Sequence, residues 1–277
     1  MIITIASGKG GTGKTTLATN LARAAGRPVA LLDCDVEEPN AHIFLNPEVT
    51  HREPVYKRVP QIDAEKCIYC GECSAFCAYN ALAVLPTEVL VFSELCHGCG
   101  GCMRVCPENA ITESGHEVGV IERGMAGSIT CISGRLHVGE AMAGPVIRAV
   151  KQQAGQYDSV LIDAPPGTSC SVVSTLLGSD FCILVTEPTP FGLHDLTLAV
   201  DVVRELKIPH GVVINRADCG DGSVEAYCRQ EQIPILMQIP NDRTIAEAYS
   251  RGRMIVDALP EYQEQFCELL AHIERRR

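Results

Sequence analysis

Residues 8–15 read Gly-Lys-Gly-Gly-Thr-Gly-Lys-Thr, which fits G-x-x-x-x-G-K-[ST]. The motif follows a short apolar run at residues 2–6 and opens a helix-forming stretch over about 14–25. That strand–loop–helix context is the one in which the motif binds phosphate, and it commits the chain to an α/β fold. Gly8, Gly10, Gly11 and Gly13, with Thr12 among them, let backbone N–H groups turn inward around a polyphosphate. The helix N-terminus adds favourable partial charge. Lys14 is placed to reach the β- and γ-phosphates, and the Thr15 hydroxyl to ligate Mg²⁺, with Thr16 beside it.

The rest of the chain supports the same class. Val29–Asp33 reads as a second strand, apolar throughout as in a parallel sheet covered on both faces. Further strands are expected at Val118–Arg123, Ile129–Ser133, Ser159–Asp163, Phe181–Thr186, Gly211–Asn215 and Ile235–Ile239. Helices are expected after Pro145 and near 169–178, 192–206, 221–231, 242–251 and 260–275. This alternation predicts a doubly wound, mostly parallel sheet. Residues 34–57 read as a loop, and Arg275–Arg277 as a solvated helix end. From about 59 to 112 the texture changes, and eight of the fifteen Cys fall there. The expected organisation is a first part at 1–58, an insert at 59–112 and a second part at 113–277.

The net charge of −11 opposes non-specific binding to nucleic acid or anionic lipid. No run of about 18 apolar residues occurs, so no membrane span is expected. MIITIA runs straight into the Gly-rich loop, unlike a signal peptide, and a cytoplasmic location is expected. In that setting the cysteine spacing points to metal and not to disulfides.

The insert reads Cys67-x2-Cys70-x2-Cys73-x3-Cys77, then Cys96-x2-Cys99-x2-Cys102-x3-Cys106-Pro107. This spacing, given twice, resembles that of bacterial two-cluster ferredoxins, small α+β domains with two [4Fe–4S] clusters. The resemblance implies that each run lends its fourth thiolate to the other cluster. Cluster one would use Cys67, Cys70, Cys73 and Cys106; cluster two, Cys96, Cys99, Cys102 and Cys77. Zinc also takes Cys₄ sites, but its ribbons pair two C-x2-C knuckles across a longer spacer. Ala78 stands where the first run usually has Pro, which loosens that turn without removing a ligand. His97 lies inside the second run, where it could tune the cluster's potential.

Lys9 sharpens the reading of the phosphate loop. K-G-G-T-G-K-T-T resembles the deviant Walker A of the MinD/ParA/Mrp and nitrogenase iron-protein ATPases. The resemblance implies that Lys9 crosses an ATP-sandwich dimer to the partner's nucleotide. It also implies that Asp35 positions the attacking water and that Asp33 acts near Mg²⁺. In Asp163-Ala164-Pro165-Pro166-Gly167-Thr168, Asp163 would hold Mg²⁺ and Gly167 would sense the γ-phosphate. Asn215 matches an adenine-contacting Asn, although a turn-forming Asn fits as well. No guanine-reading N-K-x-D occurs, so ATP/ADP is the expected nucleotide. Cys170 follows Asp163 at the offset of a cluster-ligating Cys in the nitrogenase iron protein. Two readings stay open for it: a small buried thiol, or a metal or redox thiol at the dimer interface. Cys34 lies between the two aspartates of 33–35 with no role assigned.

With Glu37-Glu38-Pro39-Asn40 and Leu136-His137-Val138-Gly139-Glu140, the whole chain resembles MinD-superfamily ATPases carrying an inserted ferredoxin domain. The implied activity is Mg-dependent ATP hydrolysis, slow without a partner. The implied assembly is a homodimer, or a heterodimer with a paralogue, acting with a redox or metal-cofactor partner. The main expectation is coupling of nucleotide state to electron transfer through the clusters. The alternative is ATP-dependent assembly or carriage of a metal cluster. A MinD-like spatial role fits poorly, because Glu261, Glu264, Glu268 and Glu274 make the last helix an ordinary surface helix.

Overall fold

A computed structural model describes residues 1–275, so of the expected solvated end Arg275–Arg277 only Arg275 lies within the described residues. Its centre is a nine-stranded sheet. In spatial order the strands are β11 (Ile235–Ile239), β10 (His210–Asn215), β9 (Phe181–Thr186), β1 (Ile2–Ala6), β8 (Val160–Asp163), β2 (Val29–Asp33), β7 (Ile129–Leu136), β6 (Ile111–Ala126) and β3 (Glu48–Ile62). The run from β11 to β7 is parallel, while β6 and β3 add antiparallel pairings at one edge. Every residue of β2, β8 and β9 is buried. That continuous burial is why these segments read as unbroken apolar runs and not as alternating ones.

Helices cover both faces. On one face α1 (Lys14–Ala24), α2 (Ala41–Leu45), α10 (Ile255–Ala258) and α11 (Glu261–Glu274) pack over Ile3, Ile5, Leu31 and Ile183. Phe266, fully buried, helps seat α11 there; truncation to Ala would cost about 3–5 kcal/mol. On the other face lie α5 (Gly144–Gln152), α6 (Cys170–Leu176), α7 (Pro190–Glu205) and α8 (Ser223–Gln230). The remaining long helix, α9 (Arg243–Ser250), starts from an Asp242 cap whose carboxylate accepts the Thr244 N–H.

The stretch 34–57 is not the loop expected from sequence. It contains α2 and most of β3, and β6 runs well beyond Val118–Arg123. Together β3 and β6 make a long ribbon paired from Glu48↔Met125 to Ile62↔Ile111, with bulges near Val49 and Val55. Only the base of β6, from Gly119 onward, pairs with β7. The outer half leaves the main sheet and carries residues 63–110 at its tip. Pro54, Pro60 and the exposed charges of Glu48, Arg52, Glu53 and Arg58 on β3 disfavour pairing of this open edge with other chains. The tip holds a two-stranded sheet of β4 (Leu82–Val84) and β5 (Val89–Val91), and two short helices, α3 (Glu72–Phe76) and α4 (Gly101–Val105). No helix among the described residues is long and apolar enough to cross a membrane.

Candidate functional site

The first site lies at the C-terminal ends of the parallel strands, where the loop after β1 turns into α1. A cavity of about 360 Å³ is bounded there by Gly13, Lys14, Thr15, Asp35 and Asn215. Gly13 caps α1 at φ 100°, a left-handed conformation. A Cβ on it would stand 2.6 Å from Asn215 Nδ2. That amide instead donates to the Thr12 carbonyl at 2.9 Å. Asn215, expected against an adenine, therefore lines the cavity and braces the loop.

Asp33 and Asp163 sit side by side, in register at the ends of β2 and β8. Asp163 is fully buried; its Oδ2 accepts from the Thr15 hydroxyl at 2.5 Å, and its Oδ1 has no partner. Burial, then the neighbouring Asp33 charge, pushes the Asp163 carboxyl well up, against the pull of Thr15 and Lys14. Asp33 is pushed up to about 7, chiefly by burial. Its oxygens accept backbone N–H groups from Asp35 (3.2 Å), Asn40 and Ala41 (3.0 Å each), so it also fixes the path of residues 34–41. Burial lowers the Lys14 pKa, opposed by Asp163 and Asp35. Asp35 is raised by burial against the attraction of Lys14. An unpaired carboxylate oxygen beside a hydroxyl and a second acid offers the oxygen donors that a divalent cation takes.

Two expected contacts are engaged elsewhere. Lys9 Nζ lies 3.4 Å from Glu187 Oε2, and Arg216 lies 3.1 Å from Glu187 Oε1. The Gly167 N–H donates to the Ser7 carbonyl at 3.0 Å. The sequence signal of Glu187 is a carboxylate directly after an apolar strand, beside Pro188. Cys170 starts α6 and is exposed, which removes the buried-thiol reading. Cys34 is fully buried, its thiol pushed up by burial and the flanking acids.

The second site is the ribbon's tip. One cavity, of about 150 Å³, is walled by Cys96, Cys99, Cys102 and Cys77. A narrower one, of about 20 Å³, is walled by Cys67, Cys70, Cys73 and Cys106. No cysteine among the described residues is in a disulfide. Backbone N–H groups of Ala81, Gly98 and Ala110 donate to the sulfurs of Cys77, Cys96 and Cys106 at 3.3–3.4 Å. Gly98, at φ 63°, lets this backbone come close to β3, since a Cβ would stand 3.0 Å from the Arg58 carbonyl. The His97 ring stacks on Tyr79 at 3.5 Å and walls the first cavity. Among the described residues, no three His, Cys, Asp or Glu side chains converge as ligands of a single metal ion.

A parallel sheet ending in a Gly-rich phosphate loop defines a P-loop nucleotide-binding protein. More narrowly, the chain belongs to the CobQ/CobB/MinD/ParA nucleotide-binding domain family, whose model matches residues 3–255. It is similar to an uncharacterized protein of Methanocaldococcus jannaschii, 32% identical over 97% of this chain and 95% of that one. It is also similar to an iron–sulfur cluster carrier protein of Pyrococcus horikoshii, 26% identical over 92% of this chain and 78% of that protein. Among solved structures, the septum site-determining protein MinD with Mg-ADP from Pyrococcus horikoshii shares the fold. Its TM-score is 0.61 at 22% identity, covering 98% of this chain and 95% of that one.

Proposed function

We propose that this chain is a Mg-ATP-dependent ATPase that holds two [4Fe–4S] clusters and acts with a partner protein in assembling or carrying metal clusters. The cluster assignment rests on one observation. The eight insert thiols sort into two cavities, each walled by three cysteines of one run and one of the other. The residues fit that group. Each cavity's wall includes four cysteines, and three of the eight sulfurs receive backbone N–H bonds of the kind that cluster sulfurs take. Burial pushes the Cys73 and Cys102 thiols up, so thiolates there need a cation opposite them, which iron supplies. The cavity of Cys67, Cys70, Cys73 and Cys106 is tight, and loading it requires its walls to part. The insert at 59–112 then forms a ferredoxin-like domain on the ribbon, between the ATPase parts 1–58 and 113–277.

Thr15 and Asp163 would hold Mg²⁺, with Asp33 behind them, and the cation would neutralise charge on the phosphates. Lys14 holds the β- and γ-phosphates, and Asp35 orients the attacking water. Lys9 must leave Glu187 to reach a partner's nucleotide across a homodimer. Gly167 must release the Ser7 carbonyl before its N–H can reach a γ-phosphate. Two such rearrangements would make hydrolysis slow in the isolated chain.

Of the roles expected from sequence, relatives named as iron–sulfur cluster carriers favour cluster handling over plain electron transfer. Electron delivery remains a second reading, favoured by the complete set of four thiols in each cavity, which suits resident clusters. Anaerobic incubation with an apo-acceptor separates the roles. ATP-dependent appearance of iron–sulfur cluster on the acceptor supports assembly. ATP-dependent reduction of a partner with no iron transfer supports electron delivery. A Lys14→Ala protein that binds and hydrolyses ATP normally would sink the nucleotide assignment, and a reconstituted chain without iron would sink the cluster assignment.

A further inference from the structure

Two lysines are buried among the described residues: Lys14 in the phosphate loop, and Lys57 far from it in sequence. Lys57 lies on β3 where the ribbon leaves the main sheet. Its Nζ is 2.7 Å from Glu140 Oε2, and the two side chains are 4% and 6% exposed. The other Glu140 oxygen, Oε1, is 2.6 Å from His116 Nε2 on β6. Burial acts to raise the Glu140 carboxyl, but hydrogen bonds from Lys57 and His116 outweigh it and hold the group ionised.

Each side of this cluster leads to one of the two sites. Glu140 belongs to the loop after β7, and at the end of that strand the Leu136 N–H donates to the carbonyl of Val36 at 2.8 Å. Val36 directly follows Asp35. In the other direction Lys57 Nζ donates to the Glu94 carbonyl at 3.4 Å. Glu94 lies in the turn that leads into Cys96, whose N–H is held by Ser93. The next residue of β3, Arg58, presents its carbonyl to Gly98 in the same cysteine run. A connected chain of contacts thus runs from the loop after β2 to the loop of Cys96 and Cys99. Among the described residues, no hydrogen bond or ion pair of Lys57, Glu140 or His116 reaches the run of Cys67–Cys73, which meets the ribbon through apolar packing of Cys73 with Ile62 and Ile111.

We propose that Lys57, Glu140 and His116 form the coupling element through which nucleotide-driven movement of residues 33–36 reaches the second cysteine run, and not the first. This rests on the proposed function, since it requires both nucleotide and clusters in the chain. A buried ion pair is seldom the most stable way to fill a core, because desolvation offsets its attraction. It does impose one geometry, and it links three segments that are otherwise separate in sequence: the ribbon, the loop after β7 and the turn before Cys96. Rigid hydrogen-bonded contacts of this kind can carry coupling between two sites when both bias the same element. In that loop Gly139 takes φ 93°, and Val138 is wholly exposed.

The test uses the full chain, reconstituted with iron and sulfide without oxygen. Backbone hydrogen exchange is measured with and without a non-hydrolysable ATP analogue plus Mg²⁺. In the parent protein the analogue should change exchange in residues 94–99 by about fivefold or more, with residues 67–73 unaffected. Lys57→Met and Glu140→Gln should keep iron content and analogue affinity yet lose the change at 94–99. His116→Gln, which leaves the Lys57–Glu140 pair intact, serves if either variant fails to fold and should reduce the change. A folded, iron-loaded variant at Lys57 or Glu140 that responds like the parent overturns the inference. So does a parent protein that binds analogue and iron but shows no change at 94–99, or an equal one at 67–73. A parent that binds no nucleotide or holds no clusters instead defeats the function on which the inference rests, and the inference with it.

Discussion

Gly13→Ala tests the construction of the phosphate loop. The residue holds φ 100°, where an L side chain is strained by about 1–2 kcal/mol. The new Cβ would also stand 2.6 Å from Asn215 Nδ2, so Asn215 must swing away from the Thr12 carbonyl. Losing that hydrogen bond costs about 1 kcal/mol. The binding-competent loop is therefore disfavoured by roughly 2–3 kcal/mol, and nucleotide affinity should fall about 30- to 150-fold. Asn215→Ala alone loses only the bond and should weaken binding about fivefold. Titration with a fluorescent ADP analogue measures both. The two effects share one hydrogen bond, so the double variant should be no weaker than Gly13→Ala by itself. Fully additive losses, or a Gly13→Ala protein with parent affinity, would refute the reasoning, because the two residues would then act independently.

Other expectations follow from the same contacts. Cys106→Ser should lower anaerobically reconstituted iron from about eight to about four per chain. The cluster that survives should be lost in turn on replacing Cys77; survival of the cluster bounded by Cys67, Cys70 and Cys73 would contradict the crossed ligand sets. Asp33 is raised by burial to about 7, so the folded apo-protein binds more protons there than the unfolded chain. Its stabilising contribution is present at low pH and declines as pH rises from about 4 through about 7. A bound cation reverses the preference, so Mg-ADP binding should release protons near pH 6 and hardly any above about pH 8.5, as read by calorimetry in two buffers. Absence of buffer dependence at the lower pH would count against a cation beside Asp33 and Asp163. Glu187→Gln should free Lys9 and, because the pair is partly exposed, raise steady-state hydrolysis by no more than about fivefold. Unchanged or slower turnover would show that the Lys9–Glu187 pair does not restrain the site.

The sequence by itself determined the class of sheet, the phosphate loop and the two cysteine runs. These are local signals. Val29–Asp33 and Ser159–Asp163 are unbroken apolar runs because both faces of the sheet are covered, and the glycines of 8–13 stand where backbone must approach phosphate. The cysteine spacing is local too, and two cavities each have three cysteines of one run and one of the other in their walls. The tertiary structure alone decided how the two sites are joined. Strand β3 was missed because its inward positions are Val55, Lys57 and Val59, and a lysine in the middle hides the alternation. Lys57 can face inward only because Glu140, distant in sequence, and His116 on the neighbouring strand meet it there. The engagement of Lys9 by Glu187, of Asn215 by Thr12 and of Gly167 by Ser7 was hidden for the same reason. Spacing along the chain records which groups a loop can offer, while the partner each group finds depends on distant strands brought together by burial of the core.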